Sequence, residues 1–134
     1  FRRVLFRSHE NTALQADAEQ LKQVFLNIIL NAVEAMSQNP PERSRTLIIS
    51  IEKGASIDDH SHYLLLSFED SGKGIGEKDL DHIFNPFFTT KDEGTGLGLA
   101  ICYGIINRHE GEIEVHSTPG KGTCFTIKLP QYIV

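Results

Sequence analysis

Asn27, Asn31 and Glu34 stand four and three residues apart, so on a helix they project from one face. A carboxamide oxygen is a suitable hard ligand for Mg²⁺, which usually keeps several waters and completes its shell with substrate phosphates. On this reading the helix offers one protein ligand to a nucleotide-bound metal; the flank of a partly exposed helix is the alternative. A second cluster is Asp70-Ser71-Gly72-Lys73-Gly74-Ile75-Gly76. A carboxylate at a strand end can accept a hydrogen bond from an exocyclic amine such as that of adenine, and glycines let the backbone approach a flat ligand. The spacing is neither G-x-x-x-x-G-K-[ST] nor a dinucleotide fingerprint with its acid about twenty residues on. A ligand-free glycine-rich turn therefore stays open as the bland reading.

The third cluster, Gly94-Thr95-Gly96-Leu97-Gly98-Leu99-Ala100-Ile101, runs alternating glycines into a helix. Free N–H groups and the dipole at a helix N-terminus make an anion site suited to phosphates. Each glycine gives up roughly 0.5–1 kcal/mol relative to Ala within regular structure, so a purely structural reading needs another compensation. Between the second and third clusters, Phe84-Asn85-Pro86-Phe87-Phe88-Thr89-Thr90-Lys91 sets hydrophobic anchors and a Lys on a long loop, the makeup of a lid.

The elements that must position these clusters follow from periodicity. Leu21, Val24, Phe25, Ile28, Ala32, Ala35 and Met36 recur at helical steps from Asp17 to about Gln38, with Asp17 as N-cap and Pro40-Pro41 beyond the end. Thr46 to Glu52 alternates as a strand and Tyr63 to Glu69 is a second, with the polar segment Lys53 to Ser61 as a loose connection. Glu77 to Ile83 suits a short helix, and Asn85 to Gly96 a long loop. Gly98 to Arg108 restores helical spacing, with Gly111 as its stop. Glu112 to His116 and Thr123 to Leu129 are strands joined by a turn at residues 118–122. Hairpins without strict β-α-β repetition predict an α/β (α+β) two-layer sandwich, a mixed sheet with helices packed on one face.

At 134 residues the chain suits one domain. A formal charge of −5 supplies no footprint for non-specific nucleic-acid binding, and no stretch has the length and apolarity of a membrane span. Cys102 and Cys124 lie in apolar stretches without metal-ligand spacing and are expected to be core thiols in a reducing cytoplasm. His60 and His62 sit in a polar segment expected to be a solvated loop. Residues 1–8 are expected to be a fragment edge or scar, with Leu5-Phe6-Arg7-Ser8 reading as translated sequencing adaptor, and residues 9–134 to be the domain itself.

Taken together, these clusters resemble the histidine-kinase branch of the GHKL ATP-binding superfamily. Asn27 to Ala35 looks like the N box, Asp70 to Gly74 the G1 box, Phe84 to Phe88 the F box and Gly94 to Leu99 the G2 box, and Gly122-Thr123 like the family's final G-T element. The resemblance covers about Asp17 to Pro130. It implies a GHKL-type fold with a flexible ATP lid, ATP and Mg²⁺ as cofactors, Asn31 as the Mg²⁺ ligand, and Asp70 on the adenine amine with Thr123 nearby. Gly72 and Gly74 would admit the nucleotide to the backbone, and Gly94, Gly96 and Gly98 would form the phosphate-facing end of the lid. Ile75, Thr90, Lys91, Thr95, Leu97 and Leu99 complete the implied nucleotide-binding set, and Asn27, Asn31 and Lys91 the implied catalytic set.

The chain departs from the pattern at Glu34, where many histidine kinases carry a basic residue; Lys91 would supply that charge, a solvated lysine being the alternative. Hydrolysing members of the superfamily carry a Glu at the position of Asn27, and an amide cannot serve as that base. The resemblance therefore implies a protein-histidine kinase domain, with an ATP hydrolase or an inactive nucleotide-binding scaffold as alternatives. The implied partners are its own dimerisation and histidine-phosphoacceptor domain and a response-regulator receiver domain, with the isolated domain a monomer, the parent a homodimer and the location cytoplasmic, a membrane anchor elsewhere in the parent staying open. Neither His9-Glu10, in a segment without helical apolar spacing, nor His109-Glu110, at a helix end beside Gly111, is expected to be the acceptor.

Overall fold

The computed structural model describes residues 3–7, 14–58, 61–88 and 98–131. Among them, five strands form one sheet in the order β1-β2-β3-β5-β4. They are β1 (Arg3–Arg7), β2 (Thr46–Ala55), β3 (His62–Asp70), β4 (Glu112–Thr118) and β5 (Gly122–Gln131); the helices are α1 (Ala18–Met36), α2 (Glu77–Leu80) and α3 (Gly98–Arg108). Strand β1 runs parallel to β2 and the other pairs are antiparallel, so the sheet is mixed, as expected.

Period-two alternation gives β3 and β5 one apolar face each. Leu64, Leu66 and Phe68 stand opposite Leu129, Ile127 and Phe125 in register, and these six side chains are buried. Against this face lies the stripe of α1, formed by Leu21, Val24, Ile28, Ala32 and Met36, together with Cys102, Ile105 and Ile106 of α3. Both helices are thus on one side of the sheet. Burial of each large apolar side chain contributes about 1.5–3 kcal/mol. Truncating Ile28 or Ile127, 1% and 0% exposed, to Ala would cost about 2–5 kcal/mol because a cavity is left as well.

Helix α1 starts where expected. The Asp17 side chain accepts the Gln20 N–H at 3.1 Å, one of the orphan donors of the first turn. Ser37 closes the helix, its hydroxyl donating to the Glu34 carbonyl at 2.7 Å. Strand β2 continues to Ala55, so the connection to β3 is tighter than the composition of residues 53–61 predicts. Its turn is closed by the Ser56 N–H on the Ser61 carbonyl at 2.8 Å. Helix α2 is a single turn ending at Leu80, shorter than expected.

Four further expectations change. Arg3–Arg7 is a strand although the sequence assigned it no element. The stop of α3 is made by Glu110 in the left-handed region (φ 59°), with Gly111 supplying the N–H that bonds the Ile106 carbonyl at 2.9 Å. Cys102 is a core thiol, but Cys124 alternates with Thr123 and Phe125, so it faces the opposite side of the sheet and is only half-buried. Of the aromatic anchors, Phe84 packs on Phe125 and Tyr103 and Phe88 on His82, whereas Phe87 is 75% exposed. Asn85 to Phe88 is a β-turn in which Phe87 takes φ 68°, and this throws its ring outward.

Candidate functional site

The apolar ladder of β3 and β5 ends in a polar rung: Asp70 stands opposite Thr123, and both are buried. The chain turns sharply there. Asp70 Oδ1 accepts the Gly72 N–H at 2.8 Å and the Thr123 N–H at 3.3 Å. Both bonds land on Oδ1, and Oδ2 takes neither. Burial pushes the carboxyl above its usual range; the Gly72 and Thr123 N–H groups and the Arg43 charge pull the other way and only partly offset it.

The strap after Asp70 lies flat because it is glycine. A Cβ at Gly72 would come within 2.7 Å of the Ala35 carbonyl oxygen on α1. Gly74 takes φ 76° and rests on the Thr118 backbone, and Gly122, at φ 139°, rests on the carbonyl of Asp70. The strap is fastened on one side by the Lys73 N–H on the Ala35 carbonyl, 3.0 Å, and on the other by the Gly120 N–H on the Lys73 carbonyl, 2.7 Å. Arg43 donates to the Gly72 carbonyl from above. Ser71 is held by the Thr46 N–H and the Ser44 carbonyl, and buried Asn39 donates to the carbonyls of Ser44 and Ser71.

The other half of the site is built on α1. Asn27, Asn31 and Ala35 form one i, i+4, i+8 row spanning about 12 Å. At one end of the row Ala35 carries the glycine strap. At the other, Asn27 Nδ2 donates to the Gly98 carbonyl at 3.3 Å and approaches Cys102 Sγ at 3.7 Å, so it meets the start of α3. Asn31, half-buried, stands between them. The structure therefore brings Asn27, Asn31, Asp70, Gly72, Gly74, Gly98 and Thr123 to one side of the domain. Ile75 and Leu99 are half-buried and pack on the core, Ile75 also giving its N–H to Ser117 at 2.7 Å. Thr90, Lys91, Gly94, Thr95, Gly96 and Leu97 lie outside the described residues, as do His60 and His9-Glu10.

Sequence reasoning missed Ser117, Asn39 and Arg43. Ser117 Oγ takes the Ile75 N–H, donates to the Gly122 carbonyl at 3.0 Å and lies 2.8 Å from the Thr123 hydroxyl, so it joins the strap to the polar rung. The signal was present: Ile113, Val115 and Ser117 alternate along β4, and Ser117 is the inward residue paired with Thr123. Asn39 and Arg43 gave no such signal, since they lie in an irregular segment whose contacts depend on tertiary approach. Glu34 is exposed. Among the described residues no cluster of three or more His, Cys, Asp or Glu is arranged around a metal position.

The family model for histidine kinase-, DNA gyrase B- and HSP90-like ATPases matches residues 16–133. Sensor histidine kinase ZraS of Escherichia coli (strain K12) is 46% identical over 120 residues, which is 87% of this chain and 23% of that protein. Sporulation kinase C of Bacillus subtilis (strain 168) is 39% identical over 125 residues, 93% of this chain and 27% of that protein. The nucleotide-free catalytic domain of histidine kinase ThkA superimposes with a TM-score of 0.78 at 33% identity, over 97% of this chain and 78% of that one. Full-length ShkA in complex with AMPPNP shares the fold, with a TM-score of 0.79 at 24% identity, over 98% of this chain and 26% of that one.

The chain belongs to the histidine kinase-, DNA gyrase B- and HSP90-like ATPase family. Within it, this is the catalytic, ATP-binding domain of sensor histidine kinases, and it spans about a quarter of the length of the curated relatives it matches.

Proposed function

We propose that this domain binds ATP with Mg²⁺ and donates the γ-phosphoryl to a histidine on a separate helical dimerisation bundle, for relay to a response-regulator aspartate. The observation that carries the reading is Asp70. It is a buried carboxylate whose Oδ1 is saturated by two backbone N–H groups while Oδ2 takes neither, which suits it to accept from the exocyclic amine of adenine. The strap beneath it must be glycine to lie this close to its supports, since a Cβ at Gly72 would strike the Ala35 carbonyl on α1 and one at Gly74 the Thr118 backbone. Asn31 would offer its carboxamide oxygen to Mg²⁺, and bound Mg²⁺ would neutralise charge on the phosphate oxygens. The start of α3 would face the phosphates. Transfer breaks the bond from the γ-phosphorus to the ADP oxygen and forms one to an imidazole nitrogen. The domain contributes positioning and electrostatics, because phosphoryl transfer asks for little covalent chemistry from the protein.

The competing reading, an ATP hydrolase, needs a base beside the phosphates. Asn27 is a carboxamide whose Nδ2 is turned to Gly98 and Cys102, so it takes up no proton near neutral pH. No helix among the described residues is long and apolar enough to cross a membrane, and we place the domain in the cytoplasm, where ATP is. Radiolabelled ATP tests the proposal in one experiment. The domain should bind ATP·Mg²⁺, release phosphate very slowly, leave itself unlabelled and label a supplied histidine bundle from its parent kinase. Rapid phosphate release abolished by Glu34→Gln would establish the hydrolase instead.

A further inference from the structure

Helices α1 and α3 lie antiparallel, and α3 is tied to α1 at both of its own ends. At one end Asn27 Nδ2 donates to the Gly98 carbonyl. At the other, the ring of His109 lies between the helices: Nδ1 is 2.8 Å from the Ile105 carbonyl, and Nε2 is 3.1 Å from the backbone nitrogen of Asp17. A carbonyl only accepts, so Nδ1 carries the proton, and Nε2 accepts the Asp17 N–H. The ring is therefore the neutral Nδ1–H tautomer with both nitrogens engaged. Between the ties runs an apolar seam, in which Cys102 Sγ lies 3.8 Å from the Val24 carbonyl and Ile105 and Ile106 share the same buried cluster. Burial of such a seam is non-directional and changes little when one helix slides or turns slightly. Hydrogen bonds are not so tolerant: they weaken steeply with angle and distance.

We propose that His109 is a positioning residue for the nucleotide site, fixing α3 against α1 in one register so that Gly98 is held over Asn27. The proposal rests on the reading of ATP binding given above, in which the start of α3 faces the phosphates. Helix α3 has eleven residues and so is about 16 Å long; its two ties set the direction of its axis as well as its place along α1. Misplacing a positioning group by about 1 Å can cost about a hundredfold in rate, so a distant tie of this kind is enough to govern the site.

The test separates positioning from simple stabilisation. His109→Ala removes both bonds. His109→Gln restores an amide able to donate to Ile105 and accept from Asp17. Asp17→Pro deletes the N–H from the other side at a φ of −77°, which proline accepts, while Asp17→Ala loses only the cap and keeps the N–H. Two readouts are taken well below each melting temperature: ATP·Mg²⁺ affinity, and in nucleotide-free protein the NMR resonances of the Asn27 side-chain amide and the Gly98 N–H. His109→Ala and Asp17→Pro should lower affinity about three- to tenfold, the equivalent of one net hydrogen bond, and should shift both resonances. His109→Gln and Asp17→Ala should stay near wild type in both. Variants that melt earlier yet bind ATP as wild type and leave both resonances in place would overturn the proposal, and Asp17→Pro decides it if His109→Ala does not fold. If wild type itself does not bind ATP, the functional reading falls, and the resonances alone still decide whether His109 sets the register.

Discussion

Asp70 Oδ1 and the backbone nitrogen of Gly72 are 2.8 Å apart, so the last residue of β3 closes a turn onto the glycine strap with its own side chain. The bond aims the carboxylate and sets where the strap begins. Asp70→Asn can keep this bond through the amide oxygen, and it replaces the acceptor at the other position with a donor. ATP affinity should therefore fall about tenfold or more, as expected when a buried polar contact is mismatched, while the fold survives. Parallel titrations with ATP and GTP check this; an equal loss for both would remove Asp70 from adenine recognition.

The same residue makes stability depend on pH. Its folded carboxyl holds a proton to higher pH than the ordinary value of 3.8. Below 3.8 the group is protonated in both states, and its contribution is fully present. As pH rises through the raised folded value, the unfolded chain has already ionised and the contribution is lost. Urea unfolding of wild type and Asp70→Asn from about pH 3 to about pH 7 should show the variant gaining relative to wild type as pH climbs. A constant difference would mean that the carboxyl is not perturbed.

Asn31→Ala should weaken Mg²⁺-dependent nucleotide binding and leave magnesium-free binding largely intact. Calorimetric titration of ATP with and without the metal reads this directly. An unchanged metal dependence would take Asn31 out of the site.

Gly122→Ala should unfold at lower denaturant, by at least about 2 kcal/mol, and also lose ATP affinity. The added Cβ is strained at φ 139° and meets the Asp70 carbonyl, so the backbone under the carboxylate has to move. Chemical denaturation and an ATP titration on one preparation check both effects.

Phe87→Gly should stabilise the domain by about 1 kcal/mol, because glycine relieves a left-handed backbone and little buried contact is lost. The ring is 75% exposed at φ 68°. A lower melting temperature would show that the exposed ring is doing something within the domain.

The helices and central strands were legible in the sequence because each carries its own period: α1 and α3 begin and end within a residue or two of expectation, and the candidates Asp70, Asn31, Gly72, Gly74 and Gly98, singled out by type and spacing, fall on one side of the domain. What stayed hidden depended on approach between distant segments. Nothing in the local pattern says that His109 will meet Asp17, that Arg43 will cover Gly72, or that Cys124 belongs on the outer face once Thr123 is fixed inward. The cap of α3 was misread because Gly is the usual left-handed residue there, whereas here Glu110 takes that role and Gly111 is needed for its close approach to the Lys128 carbonyl.

The glycine strap is held to α1 and to the β4–β5 turn through the two peptide groups of Lys73, one giving its N–H to Ala35 and the other its carbonyl to Gly120. Main chain fastens main chain on both sides. The floor of the site thus sets no demand on the side chain at residue 73, nor on its neighbour Lys121 at the turn, and both are exposed. Charge and shape around the rim can be rewritten from one kinase to another without loosening what lies beneath, and among simple replacements it is proline at position 73 that would undo the fastening, by deleting the N–H.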